Sequence, residues 1–460
     1  MLQVSGKQVA AVFGIVLLVI ALIKVISVAE MSPPVISTER DIKSLGLKPF
    51  EVTVSDKGTG LSSVRIYLLD AYGESVLVEK EYKKGTKSDV VKVSIDPEKL
   101  GIKGGTAELF IEATDRFMKG LLPGRKAIFS QRVTLDFIPP EIQELSPTLY
   151  IRHGGAGVVI YKVSEDAVSS GVEVKDIFFE GYPGHFEDPL IHLAFFAYPY
   201  NADKGEKIEI LAADAAGNEM RESVYYRLLR ASYVKDQIGL SEWFLKSKVL
   251  PLFSKVYGYS PVGDDGKPDL LKAFLKINSE TRKENDNRIY EIGRQSGGEI
   301  LWEGKFNQLR NSKVGATFAD HRKYLMDGNV IDNQHHLGYD LSVTKKYPVP
   351  ASNSGVVVFA EHLGIYGNTV IIDHGMGVMS LYSHLSSMDV SVGDSVGKKD
   401  IVGRTGTTGL AVGDHLHFGV YVQGVPVRPL EWWDAKWIKD NILYKVNYVK
   451  KNFGVGESTR

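Results

Sequence analysis

The spacing of apolar and polar residues changes period several times along this chain. Residues 9–23 are apolar or Gly without a break, and after Lys24 the run resumes as Val25-Ile26-Ser27-Val28-Ala29. Together that is about the length a helix needs to cross a bilayer, with Lys24 close enough to one end to snorkel. Between residues 31 and 235 the pattern shifts to short alternating stretches separated by Gly, Asp, Asn and Pro, which predicts strands and tight turns. From residue 236 to 298 it becomes helical. Ser241 is placed to cap a helix whose apolar side carries Trp243, Phe244, Val249, Leu252, Phe253 and Val256, and Pro251 is expected to kink or end it. A second helix is expected from Asp269, burying Leu270, Leu271, Phe274, Leu275 and Ile277 and running on to Ile289 and Ile292 until Gly297-Gly298 breaks it. Short strands between glycine turns then fill residues 299–437, and the basic segment 438–460 reads as a tail.

The first β-rich stretch repeats itself. Ser32-Pro33-Pro34-Val35-Ile36 is echoed by Ile138-Pro139-Pro140-Glu141-Ile142, and Ile111-Glu112-Ala113-Thr114-Asp115 by Ile210-Leu211-Ala212-Ala213-Asp214. The period of roughly a hundred residues is the size of one β-sandwich. The two copies resemble bacterial immunoglobulin-like modules in tandem, and neither carries a metal or nucleophile constellation.

Composition narrows the chemistry. A net charge of −1 over 460 residues argues against a nucleic-acid binder, which would show a basic excess. The absence of cysteine excludes disulfides, thiolate metal sites and cysteine nucleophiles. Eight of the 11 histidines fall after residue 320, which directs attention to the last β-rich stretch.

There, Leu416, Phe418, Val420 and Val422 alternate with His415, His417 and Tyr421, so two imidazoles point the same way from one strand. Upstream, His336 and Asp340 stand in an H-x-G-x-D spacing, where a turn at Gly338 brings imidazole and carboxylate together at the mouth of a strand. A third cluster is Asp373-His374-Gly375, followed by Ser380, Tyr382 and His384, which alternation places on one face, with Leu381, Ser383 and Leu385 on the other.

In that order and spacing, H-x-G-x-D, I-D-H-G-x-G with Y-x-H-L, G-x-T-G and H-L-H-F resemble the zinc metallo-endopeptidases of lysostaphin (LytM-domain) type, which cut peptide cross-bridges of peptidoglycan. The resemblance implies that His336, Asp340 and His417 bind Zn2+ and that His384 and His415 act on the substrate as acid/base and transition-state stabilisers. Two imidazoles and one carboxylate would leave a fourth site of a tetrahedral ion for water, the pattern of catalytic zinc. Tyr382 is a candidate for substrate binding, with a packed core aromatic as the alternative.

The resulting expectation is a multidomain, mainly β protein. It has an N-terminal transmembrane signal-anchor (1–30), with a cleaved signal peptide as the alternative, and two immunoglobulin-like β-sandwiches (31–137 and 138–235). A helical hairpin linker (236–298), an antiparallel β metallopeptidase domain (299–437) and a C-terminal tail (438–460) follow. The substrate class places the catalytic domain in the periplasm or outside the membrane, on a single-pass protein of the inner (cytoplasmic) membrane. Partners are peptidoglycan, the membrane and, through the sandwiches or linker, other proteins. The competing reading is a non-catalytic LytM-domain regulator or envelope scaffold.

Overall fold

The computed structural model describes residues 32–38, 42–116 and 124–456. The expected transmembrane helix lies outside the described residues. Among those described, no helix is long and apolar enough to cross a membrane. The chain is mainly β and divides into two compact units, one formed by Met1–Pro140 with Ala213–Glu219, the other by Glu141–Ala212 with Met220–Arg460.

In the first unit, strands Val35–Thr38, Phe50–Ser55 and Ser88–Val93 form a three-stranded sheet, and five further strands centred on Gly105–Asp115 form a second. Alternation decides what they bury. Phe50, Val52 and Val54 come from one sheet, Val64, Ile66, Leu109 and Ile111 from the other, and all join a single core.

In the second unit, an eight-stranded sheet holds the last β-rich stretch. Its order runs Lys313–Ala316, Tyr339–Ser342, Leu416–Val422, Val378–Leu385, Gly367–Asp373, Gly355–Leu363 and Ser395–Val396, with Val425–Val427 paired to Leu416–Val422. The inner strands are buried on both faces, which is why they read as near-continuous apolar runs. One face packs Tyr382, Phe418 and Val420 into a core shared with Ile160, Phe195 and Trp432. The other face packs Leu381 and Tyr421 against Phe253, Phe274 and Ile289 of the helical stretch.

The helices form where the caps predict, with the Ser241 side chain accepting the Phe244 N–H and Asp269 accepting that of Lys272. Pro251 does not end its helix. Glu242–Phe244 continues through a π-helical turn, Leu245–Val249, into Leu250–Tyr257, so the residue lacking an N–H sits where the ladder is already rearranged. Trp243, expected on the apolar side, is instead 59% exposed. The segment expected as a tail is helical from Lys439–Leu443 through Tyr444–Phe453. It buries Ile442, Val446 and Val449, and the Lys445 ammonium donates to the Val158 carbonyl at 2.6 Å. Its apolar residues are spaced for a helix face, a pattern outweighed in the sequence by its lysines.

Candidate active site

Strand Leu416–Val422 carries His417, and strand register determines its neighbours. Asp340 is paired across from it on one side and Ser383 on the other. Cross-strand partners share a face, so the Asp340 carboxylate and the His417 ring meet, with Oδ1 3.0 Å from Nδ1. His336, just before strand Tyr339–Ser342, closes the triangle, its Nε2 standing 2.9 Å from Asp340 Oδ1 and 2.9 Å from His417 Nδ1. Gly338 makes this approach possible by having no side chain. A Cβ there would lie 2.5 Å from the Phe418 carbonyl oxygen and 2.6 Å from His417 Nε2.

The protonation pattern of the triangle suits a cation. The Nδ1–H of His336 donates to the Thr317 carbonyl at 2.9 Å, which leaves the Nε2 lone pair facing inward. Burial holds the His417 imidazole down, to a pKa of about 4, so its ring stays neutral. Burial raises the Asp340 carboxyl, but its contacts with His336 first, then with His415 and His417, outweigh it and keep it well below the usual carboxylate range. Two lone pairs and a carboxylate oxygen within 3.0 Å of one another repel unless a proton or cation lies among them. Around a zinc ion, with bonds of roughly 2.0–2.1 Å, such atoms stand about 3.3 Å apart, close to the separations seen here. The donor set therefore fits zinc, and among the described residues it is the group with that capacity.

Two more imidazoles flank it. His415, bridged to Gly406 just before the strand, donates Nδ1–H to the Gly413 carbonyl at 2.8 Å and holds Nε2 3.5 Å from Asp340 Oδ1. Burial lowers its basicity, yet the hydrogen bond and charge of Asp340 raise it above the ordinary histidine value. His384 donates Nδ1–H to the Thr408 carbonyl at 2.9 Å, and its ring lies 4.9 Å from that of His415 and 5.9 Å from that of His417. Burial and then the neighbouring imidazoles push His384 well below the usual range, so it is a neutral acceptor at Nε2.

Alternation alone puts His384 on the wrong face. The strand carries an extra residue opposite Gly367–Asp373, where Asn368 pairs with Leu385 but Val370 with Tyr382. At this bulge His384 has φ +62°, which exchanges the faces of His384 and Leu385 and turns the ring toward His417. Tyr382 stays behind, which corrects the expectation that it binds substrate. It is 1% exposed, its hydroxyl accepts from the Ser352 N–H at 2.7 Å and from Ser380, and its ring packs on Phe418 in the core. His335 also faces away, stacked on His321.

The five polar residues open into a cleft of about 500 Å3. Its apolar lining comes from the helical stretch and the strand before it, with Ile238, Leu240, Trp243 and Phe244, and from Leu410, Ala411 and Val412. Three cleft residues escaped the sequence reasoning. Tyr366 packs its ring 5.6 Å from His417, and its hydroxyl donates to Asp286 at 2.8 Å. Arg282 and Arg322 line the same space. A signal existed for Arg322, which shares the period-2 face of strand His321–Met326 with buried Tyr324.

A buried β-sheet carries a His-Asp-His donor set that lines a cleft with two further imidazoles beside it, an arrangement of the kind that can hold a catalytic metal. Residues 334–429 match the sequence model of Peptidase family M23, and this part of the chain is an M23 peptidase domain. The chain is 40% identical over 136 residues to DD-carboxypeptidase/endopeptidase Mpg of Neisseria meningitidis serogroup B, covering 29% of this chain and 30% of that protein. It is 38% identical over 96 residues to peptidoglycan DD-endopeptidase ShyA of Vibrio cholerae, covering 21% and 22%. The chain thus spans less than a third of the length of these relatives. Among solved structures, the catalytic domain of the antimicrobial peptidase lysostaphin from Staphylococcus simulans matches at 29% identity and a TM-score of 0.25, covering 28% of this chain and 98% of that one.

Proposed function

We propose that this protein is a zinc-dependent endopeptidase that hydrolyses peptide bonds in the stem peptides or cross-links of peptidoglycan. The observation that carries the reading is the convergence of His336, Asp340 and His417 within 3.0 Å, with His384 and His415 beside them in an open cleft. The names of the curated relatives supply the substrate class.

His336 Nε2, His417 Nδ1 and Asp340 Oδ1 would hold the ion. Zinc, when bound, supplies Lewis acidity, bringing the pKa of water down to roughly 7 and polarising a carbonyl. The chain's own residues handle the protons. His415, its Nδ1–H held by the Gly413 carbonyl, presents Nε2 to take a proton from the attacking water and pass it to the leaving amine. His384, neutral and fixed by Thr408, offers Nε2 to the reacting groups from the other side. Apolar residues in the cleft lining exclude bulk water and strengthen these interactions.

The apolar residues 9–23, with the shorter run after Lys24, support a single-pass anchor in the inner membrane, with the catalytic domain in the periplasm or outside. The preceding β-rich segments, read as immunoglobulin-like, then act as spacers or partner surfaces. The regulator reading is disfavoured because every ligand and both auxiliary imidazoles are present.

The test is digestion of purified peptidoglycan by the full-length chain in detergent, with new termini identified by mass and metal content measured in parallel. One zinc per chain and release of peptides, abolished in His415→Ala, is the expected result. A chain without stoichiometric zinc, or a His415→Ala variant as active as the wild type, would overturn the assignment.

A further inference from the structure

Part of the cleft lining is the open edge of a sheet. Strand Lys235–Gly239 ends a three-stranded sheet, pairing in parallel with His321–Met326, which pairs in turn with Asn329–His335. In a parallel pair alternate residues of a strand bond to the neighbour, and two bonds fix which ones do so here. The His321 N–H donates to the Val234 carbonyl at 2.8 Å, and the Leu240 N–H donates to the Leu325 carbonyl at 2.8 Å. The even-numbered residues therefore serve the ladder. The N–H and C=O groups of Gln237 and Gly239 point the other way, where the sheet has no further strand.

Gly239 is the accessible one of the two within the cleft. It is exposed and borders the same cavity as His336, Asp340 and His417, between Ile238 and Leu240. Neither conformation nor packing asks for glycine there. The residue has strand geometry, the ladder continues past it to Leu240, and a Cβ built on it meets nothing within 4 Å. A glycine within a strand weakens it, and such positions mark close approach of another backbone. An unpaired strand edge is a template for an extended chain, because one residue laid antiparallel opposite Gly239 can exchange two N–H···O bonds with it.

We infer that the free edge at Gly239 is a main-chain subsite of the cleft, where an extended stretch of the substrate adds to the sheet as a further strand and exchanges two hydrogen bonds with Gly239. The inference rests on the peptidase reading for the substrate being a peptide. Continuity favours that occupant, since the edge and the metal set line one cleft of about 500 Å3. Pairing of this kind reads the extended backbone and leaves the choice of side chain to other parts of the cleft. Residues 235–239 precede residues 334–429, so the edge is supplied from outside the segment that matches the family.

Proline tests the edge without touching the ladder. The Gly239 N–H takes no part in the pairing, and an edge strand accepts proline where the N–H faces away from the sheet. In the full-length zinc-loaded chain, Gly239→Pro is expected to raise KM for a synthetic stem pentapeptide by about three- to tenfold, the scale of one hydrogen bond, with kcat little changed and zinc still at one per chain. Gly239→Ala, which restores the N–H, should bring KM back. From the substrate side, pentapeptides with one backbone amide at a time replaced by an ester are titrated calorimetrically into the His415→Ala chain, and one of them should bind more weakly by a similar factor. That series decides the matter should Gly239→Pro lose its zinc. An unchanged KM in Gly239→Pro, an alanine variant as impaired as the proline one, or equal binding of every ester would overturn the edge subsite and leave the peptidase standing. Peptide binding that Gly239→Pro weakens, without any cleavage by the wild type, would sink the hydrolase and keep the subsite. A wild type that neither binds nor cleaves the peptide would sink both.

Discussion

At His384, function is bought with backbone conformation. A non-glycine residue at φ +62° costs on the order of 1–2 kcal/mol, and at this position the cost places the imidazole over the metal set. Two substitutions that both remove the ring should therefore differ in stability. His384→Gly relieves the left-handed conformation, whereas His384→Ala keeps it, so the glycine variant is expected to be more stable by about 1 kcal/mol in chemical denaturation. An alanine variant of equal or greater stability would mean that the residue does not hold this conformation. The same residue marks a limit of sequence reading. The ligand set was legible because H-x-G-x-D and H-x-H fix spacing within or next to a strand, and register then completes the triangle. The bulge was not legible, since alternation counts residues and cannot register an extra one. Of the two readings of Tyr382 the packed core aromatic holds for a related reason, because the face shared in sequence with His384 is the core face.

Between elements, the second unit is joined by buried polar contacts that periodicity does not reveal. Glu431, in the short helix Pro429–Trp433, is 5% exposed, accepts the Ala156 N–H at 3.0 Å through Oε2, and leaves Oε1 without a partner. Burial pushes its carboxyl up to about 7, against the pull of that hydrogen bond and of Arg428 and Arg152. A carboxyl whose pKa is higher in the folded than in the unfolded chain contributes stability in full below the unfolded value, near 4.5, and loses it as pH rises through about 7. Glu431→Gln, a permanent stand-in for the protonated acid, should escape this loss. The stability difference between variant and wild type is expected to grow in the variant's favour between pH 5 and pH 8, by up to about 3 kcal/mol. A pH-independent difference in thermal or urea denaturation would contradict the burial argument. Element type was easier to read than element fate. Both caps and both helices were evident, but the π-turn that accommodates Pro251 and the burial of the lysine-rich last helix depend on partners distant in sequence.

Over the whole chain, the telling feature is that the peptidase sheet does not have a core to itself. Phe195, on strand Ile191–Ala197, is fully buried, with its ring 6.3 Å from that of Trp302 and 6.2 Å from that of Trp432, within the core that also takes in Tyr382 and Phe418. The sequence repeat drew the eye to residues 138–235 as a separate module, because repeats expose strand patterns and say nothing of which apolar faces meet. A common core predicts common unfolding. Zinc held by the folded site and not by the open chain would, at a hundredfold excess over its Kd, raise the transition of the unit that holds His336, Asp340 and His417 by about 2.7 kcal/mol. Phe195→Ala, far along the chain from those ligands, should lower that same transition by about 3–5 kcal/mol through loss of packing and the cavity left behind. Phe195 lies on a strand that carries none of the ligands, and addition of the two effects to within a few tenths of a kcal/mol would show that the substitution leaves the ligand set undisturbed. Calorimetry of the full-length chain, with and without zinc and with and without the substitution, reads all four values. A transition raised by zinc but untouched by Phe195→Ala would show that the peptidase sheet folds on its own and that the shared core does not couple it to the strands before it.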